Sequence, residues 1–349
     1  MSNTAPTMGD REPSASVIVP VKNERDMIDA CLKSLLDLDY VHYEIIIVDT
    51  GSTDGTVEVV ERMAQSNKRV RLLRTIGYAA AGRNAGIAAA KGVVLAFTDG
   101  DCIVPKDWLK RLVGCLLTES RSTAGVGGPS IPLEKNPNLW SAIISAVLQT
   151  FLGSAGSVQV SITKRDYARS LSTANSVFWA EDVRKLNGFD PRLYFCEDAD
   201  FCARVVRAGF RLRFVRDAGV YHARDYHSLR NFGRHMFRYG WTRGEAISIK
   251  PRTNMSLTAL AIVSFLALET LLFGASLVGV VYTGVLFAVF AAIYAILLVS
   301  TSLILAGGMT IKFPAAVVAF VILHATYASG LLAGLFTGVG KTLGGRWPS

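Results

Sequence analysis

Short apolar runs separated by turn-forming residues organise the first hundred positions. Ser16-Val17-Ile18-Val19-Pro20 and Tyr43-Glu44-Ile45-Ile46-Ile47-Val48 read as buried strands, Val70-Arg71-Leu72-Leu73 as a third, and Gly92 to Thr98 as a fourth ending at Asp99. Unbroken β-branched and aliphatic runs suit strands covered on both faces. Between them the spacing turns helical: up to Leu36, from Thr56 to about Gln65, and from about Ala79 to Ala90. Further helices are expected from Asp107 through Leu117 and from Asp200 to Ala208. Alternating strands and helices predict an α/β fold with a largely parallel sheet and its chemistry at the carboxyl ends of the strands.

The last third of the chain follows another pattern. From Ser256 to Val339 the only formal charges are Glu269 and Lys312. Three apolar stretches, near 257–280, 283–305 and 313–336, are each long enough for about 30 Å of hydrocarbon. Three transmembrane helices are therefore expected within 256–338, followed by a short tail at 339–349. Lys250, Arg252 and Lys312 fall on the side of the preceding domain, which orients that domain to the cytoplasm of a multi-pass protein of the cell membrane. Glu269 is costly against lipid, and reads as a helix contact, an interfacial residue or a contact to a lipid substrate.

Two segments have an interfacial character. Leu139 to Leu152 is apolar but too short to span. With the loop after it, it makes 139–170 a candidate interfacial or acceptor-binding insert. The arginine-rich 226–250 segment reads as an amphipathic helix at the membrane surface. The remaining boundaries are a disordered N-terminus over 1–14 and a catalytic domain over 15–245.

Composition narrows the class. The chain has 349 residues, half of them hydrophobic, and a net charge of +9, which fits two or three units and a surface drawn to anionic lipid. No zinc-finger spacing or helix-turn-helix pattern accompanies the charge, so nucleic acid is not an expected partner. Five cysteines without a CxxC pair read as reduced thiols. Met1 to Ser14 lacks an apolar core, so no cleaved signal peptide is expected.

The candidate chemistry collects at strand ends. Asp99 and Asp101 are two residues apart on an extended segment, so they face one side. They can present oxygens to one hard divalent cation, Mn2+ or Mg2+, of the kind that neutralises a diphosphate. Asp49 follows an apolar strand and could accept a hydrogen bond from a nucleobase or ribose. Asp54 is placed to cap the next helix, and Arg83 and Asn84 could reach a diphosphate or base. Glu197-Asp198-Ala199-Asp200 offers a base, with Asp198 preferred; the same carboxylates also suit the first turn of a helix. Pro20-Val21-Lys22-Asn23-Glu24 occupies the place where a dinucleotide-binding G-x-G-x-x-G would follow the first strand, and excludes that reading.

Taken in order, Ser-Val-Ile-Val-Pro-Val-Lys-Asn-Glu, Val-Asp-Thr-Gly-Ser-Thr-Asp-Gly-Thr, Ala-Gly-Arg-Asn-Ala-Gly, Asp-Gly-Asp, Gly-Phe-Asp and Glu-Asp-Ala-Asp resemble family-2 glycosyltransferases of GT-A fold. Gly127-Gly128-Pro129, the 139–170 insert, Arg238-Tyr239-Gly240 and the apolar tail look most like the succinoglycan-biosynthesis type. The resemblance implies inverting transfer from a nucleotide sugar, a UDP-sugar favoured, to a lipid-linked acceptor on the cytoplasmic face. It puts Pro20, Glu24, Asp49, Arg83 and Asp99 in the nucleotide pocket, Asp101 and His222 on the metal, and Asp198 at the base. Asn175, Glu197, Arg238 and Tyr239 fall near the acceptor. His235-Met236-Phe237-Arg238-Tyr239 is similar to the QxxRW element of processive synthases but has His for Gln and Tyr for Trp. Asn187 replaces the commoner Gly before Gly188-Phe189-Asp190, a change the turn tolerates because Asn accepts positive φ. The alternative reading is a catalytically silent membrane scaffold of a glycan-assembly complex.

Overall fold

The computed structural model describes residues 12–133, 138–154, 166–194, 196–223, 228–250, 257–280, 282–308, 310 and 312–342. The expectations for residues 1–11, for 155–165 of the insert and for 343–349 of the tail lie outside these. The chain divides into two compact units, Met1–Leu133 with Val158–Arg224, and Glu134–Ser157 with Asp225–Ser349. Both segments with interfacial character therefore group with the C-terminal helices, where the sequence suggested an uninterrupted domain to 245.

The chain begins with β1 (Ala15–Val21), α1 (Arg25–Leu36), β2 (Tyr43–Asp49), α2 (Thr56–Ser66), β3 (Val70–Arg74), α3 (Ala79–Ala89) and β4 (Val94–Phe97). β5 (Cys102–Ile103), α4 (Trp108–Thr118), β6 (Thr123–Gly127) and β7 (Ser130–Pro132) follow. After α5 (Leu139–Leu148) and α6 (Phe151–Ser154), which belong to the second unit, come β8 (Tyr167–Ala168), β9 (Ser176–Trp179), α7 (Ala180–Lys185), α8 (Glu197–Arg207), β10 (Arg211–Phe214) and β11 (Val220–His222).

The main sheet has the order β3-β2-β1-β4-β9-β6-β10-β8. Its β3-β2-β1-β4 half is parallel, as expected. The other half is mixed, because β9 runs antiparallel between β4 and β6, and β8 antiparallel to β10. The strand period divides the core. Val17, Val19, Ile45 and Ile47 pack with α1, α2 and α4 on one face, while Ile18, Ile46 and Val48 pack with α3, α7 and α8 on the other. This two-sided burial is what the unbroken apolar runs required. α3 lies close on β1 because Gly82 and Gly86 leave room there; a Cβ on Gly82 would come within 3.1 Å of Pro20, and one on Gly86 within 2.5 Å of Ile18.

The second unit continues with α9 (Leu229–Ile249), α10 (Leu257–Leu277), α11 (Thr283–Ala306) and α12 (Lys312–Thr342). Ser228 caps α9 by accepting from Asn231 N at 3.2 Å. Among the described residues, Thr283–Ala306 and Lys312–Gly338 are long and apolar enough to cross a membrane. α9 and α12 run parallel in backbone contact: a Cβ on Gly240 would overlap the Tyr327 carbonyl, and one on Gly334 that of Trp241. Trp241 Nε1 donates to Thr337 Oγ1 at 3.0 Å and Ser248 Oγ to the Leu335 carbonyl at 2.9 Å.

Candidate active site

The loops after β1 and β2 are hydrogen-bonded into one piece. Asn23 N donates to Ser52 Oγ (2.9 Å), Thr53 N to Asn23 Oδ1 (2.8 Å), Glu24 N to Thr56 Oγ1 (2.8 Å) and Arg25 N to Asp54 Oδ2 (3.1 Å). Asn23 adopts φ +59° to make this possible. The N-cap of α2 is Gly55, not Asp54. Asp54 instead accepts from both Thr56 N and Thr56 Oγ1 and ties the two loops together. Asp49 is buried at the end of β2 and accepts from Gly51 N at 3.0 Å and Ser52 N at 3.2 Å, which fixes the turn where a nucleotide is expected.

Beside this wall the acidic groups accumulate. A Cβ on Gly100 would stand 2.7 Å from Val21 Cγ1 and 3.3 Å from Glu24 Cγ, so the Asp99-Gly100-Asp101 turn is pressed against the β1 loop. Burial, then Asp101, Asp99 and Asp54, push the Glu24 carboxyl up to about 8. The antiparallel pairing of β5 with β11 puts His222 opposite Cys102. His222 Nε2 then lies 3.0 Å from Asp101 Oδ2. Donor atoms of Asp99, Asp101, Cys102 and His222 all fall within 4.8 Å of one another. Burial and the neighbouring Asp99 and Asp101 push the Cys102 thiol well up. The oxygens of Asp99 and Asp101 with the His222 nitrogen suit a hard divalent cation.

A second junction pairs one arginine with two carboxylates. Arg83, 3% exposed, donates through Nη1 to Glu197 Oε1 (2.5 Å) and through Nη2 to Asp99 Oδ1 (2.7 Å). Its guanidinium lies 5.8 Å from the centre of the Phe189 ring. Burial alone would lower the Arg83 pKa, but Asp99, Glu197 and Asp198 overcome it and the net shift is upward. At Glu197 burial outweighs Arg83 and raises the carboxyl to about 7. The neighbouring Asn84 clamps the backbone of Phe189, donating from Nδ2 to its carbonyl (2.7 Å) and accepting from its N–H (2.9 Å). Asn187 and Gly188 take φ +57° and +56° in that turn, as the sequence allowed. α3 thus ties the metal-side loop to the segment that carries Asp198.

Models of two related families match this chain: "Glycosyl transferase family 2" over residues 16–168 and "Glycosyl transferase family group 2" over residues 94–332. The chain belongs to glycosyltransferase family 2. It is 31% identical over 224 residues to the glycosyltransferase AglE of Haloferax volcanii, with 62% of this chain and 69% of that protein covered. It is 28% identical over 230 residues to the uncharacterised glycosyltransferase EpsJ of Bacillus subtilis, with 61% of each covered. Among solved structures, a mannosyltransferase from Pyrobaculum calidifontis, determined with GDP-Man and Mn2+, shares the fold. The TM-score is 0.60 at 20% identity, over 96% of this chain and 90% of that one. The α/β sheet is accordingly of the GT-A type.

Within this family-2 fold the other sequence-predicted residues have defined surroundings. Arg83 and Asn84 hydrogen-bond to protein groups in the folded chain. Glu197 is buried against Arg83. Asn175 is fully buried: it donates to the Pro129 and Ala218 carbonyls (2.9 and 2.7 Å) and accepts from Trp108 Nε1 (2.8 Å), so it brackets three segments. α8 starts at Glu197, three residues before the expected Asp200, because Cys196 turns the chain at φ +63°. Asp198 therefore sits in its first turn, partly exposed, accepting from Ala199 N at 2.7 Å. Pro20 is buried in β1 under Gly82. Arg238 and Tyr239 are exposed residues of α9 in the second unit, with the Tyr239 ring 4.9 Å from that of His235. Glu269 is half-buried on α10, its Oε1 without a hydrogen-bond partner among the described residues. No local sequence signal marks the Arg83–Glu197 pair, Phe189 beside the guanidinium or Cys102 in the acidic cluster.

Proposed function

We infer that this glycosyltransferase moves a sugar from a nucleoside-diphosphate donor to a lipid-linked saccharide or polyprenyl phosphate at the cytoplasmic membrane face, with inversion, in polysaccharide or glycan assembly. The observation that carries the reading is the convergence of Glu24, Asp99, Asp101 and His222 beside the buried Asp49 turn. Asp101 and His222, with Asp99, would hold Mn2+ or Mg2+, which when bound neutralises charge on the diphosphate leaving group. The zipped β1 and β2 loops would form the wall of the nucleotide pocket. Asp198 takes the proton of the acceptor hydroxyl as that oxygen attacks the anomeric carbon from the face opposite the leaving diphosphate.

Calorimetric titration of the detergent-purified protein with UDP, GDP and dTDP, with and without Mn2+, tests the reading. Metal-dependent binding of one nucleotide, lost in Asp101→Ala, is expected; failure of all three to bind under both conditions contradicts it. Asp198→Asn separates the roles. It is expected to lower kcat by roughly 10²–10⁴-fold while leaving nucleotide binding intact. Undiminished turnover would remove Asp198 from the mechanism.

A further inference from the structure

The helices of the second unit are of two kinds. α10 and α11 are joined by the short segment 278–282 and expose apolar side chains around much of their circumference, Leu271 at 71%, Leu277 at 72%, Val285 at 63% and Ile296 at 66% among them. Over residues 313–338 the exposed side chains of α12 form a single row. At 3.6 residues per turn, Val318, Val321, Ala325, Ser329, Leu332 and Phe336 fall within about 80° of one another. Its remaining surface is covered by α5, by α9 and by the C-terminal half of α11.

Those covering elements restrict the direction α12 can take. The segment Glu134–Ser157, which carries α5 and α6, leaves the first unit after Leu133 and returns to it at Val158. The ten residues of α5 reach only about 15 Å, too short to cross a bilayer. His324 of α12 places Nε2 3.0 Å from the Leu152 carbonyl of this excursion. Further along, α12 follows α9 in register, Gly330 against Phe237 and Gly334 against Trp241. α9 begins soon after the first unit ends and exposes Arg230, Arg234 and Arg238 at four-residue spacing. A groove lined by Gly233, Arg234, Phe237, Arg238 and Thr326 follows the α9–α12 seam on that face. Were α12 to span the bilayer, it would carry this arginine row into hydrocarbon alongside it, a strongly unfavourable placement.

We propose that α12 lies in the membrane plane, forming with α5 and α9 a platform that docks on anionic phospholipid headgroups, and that only the α10–α11 hairpin crosses the bilayer. The apolar row of α12 then meets the acyl boundary, the arginines of α9 meet lipid phosphates, and the chain after α12 returns to the side of the catalytic unit. Two spans replace the three expected from hydropathy, since an apolar helix packed on a basic partner scores like a spanning one. The proposal rests on the membrane reading above.

The test uses the full chain in a bacterial host, with alkaline phosphatase or a fluorescent protein fused after Ser349 or inserted at Gly279. Phosphatase activity at Gly279 and fluorescence after Ser349 are expected; phosphatase activity after Ser349 overturns the proposal. Spin labels at Val321 and Phe336, in vesicles containing phosphatidylglycerol, give a second readout. Equal shallow depths are expected, whereas a spanning α12 separates the two by roughly 22 Å. In phosphatidylcholine alone both labels should become more accessible to an aqueous quencher; unchanged accessibility overturns the anionic-lipid contact. Release of the protein by alkaline carbonate would overturn the membrane reading itself, while retention with an external C-terminus overturns only the platform.

Discussion

Two charged regions of the first unit share Asp99 and behave in opposite ways. Around Arg83, one buried guanidinium sits between Asp99 and Glu197 and the charges nearly close on themselves. Around Asp101, the carboxylates of Asp99, Asp101 and Glu24 gather with His222 3.0 Å from Asp101, and burial together with the neighbouring negative charge drives the Glu24 carboxyl up. The first region has its main ion pairs made within the fold. The second has an electrostatic deficit that a divalent cation would fill, and this contrast separates residues that hold the site together from those that await a ligand.

Breaking the closed region should have the largest effect. Arg83→Leu leaves the buried Glu197 and the partly exposed Asp99 without their counter-charge, and a loss of about 3–5 kcal/mol is expected from denaturant unfolding. A change under ~1 kcal/mol would mean the junction is not an ion pair in solution. Glu197→Gln keeps the shape and a hydrogen-bond acceptor for Arg83, so it should cost clearly less than Arg83→Leu; an equal cost would argue that the charge on Glu197 is essential. Asn175→Ala deletes a neutral bracket and strands two carbonyls and the Trp108 N–H. About 1–3 kcal/mol is expected, read as a lowered Tm, with nucleotide affinity unchanged if the residue is structural.

The open region should answer to pH. The Glu24 pKa is raised from 4.5 to about 8 in the fold, so between these values the folded chain binds a proton more readily than the unfolded chain does. The stability from that proton is fully present below pH 4.5 and is lost as pH rises through about 8. In EDTA the wild-type Tm should therefore fall from pH 5 to pH 9 more steeply than that of Glu24→Gln. Parallel curves would show that Glu24 does not feel its acidic neighbours.

Much of this was readable in the sequence, for definable reasons. Ile45-Ile46-Ile47-Val48 fixed β2 because a strand buried on both faces has little alternative to an unbroken apolar run, and the two-residue spacing of Asp99 and Asp101 set them on one side of the chain. The turn at Asn187 followed from the tolerance of Asn for positive φ. What the sequence leaves open is non-local. Arg83 and Glu197 are 114 positions apart, and nothing near either residue distinguishes a partner from a ligand contact. Asn175 would look the same in sequence whether it bound sugar or three backbone segments. The antiparallel β9 carries the same residue types as its parallel neighbours, so its direction was invisible.

The central claim is that the Asp101 cluster is completed by a divalent cation. Its most direct test is the Tm of the detergent-purified protein at pH 7.5 as Mn2+ is titrated against an EDTA reference, in wild type and in Asp101→Ala. A saturable rise in wild type, growing with the logarithm of metal concentration above the binding constant and absent from the variant, is the expected result. No rise in wild type, or an equal rise in both proteins, would contradict the account.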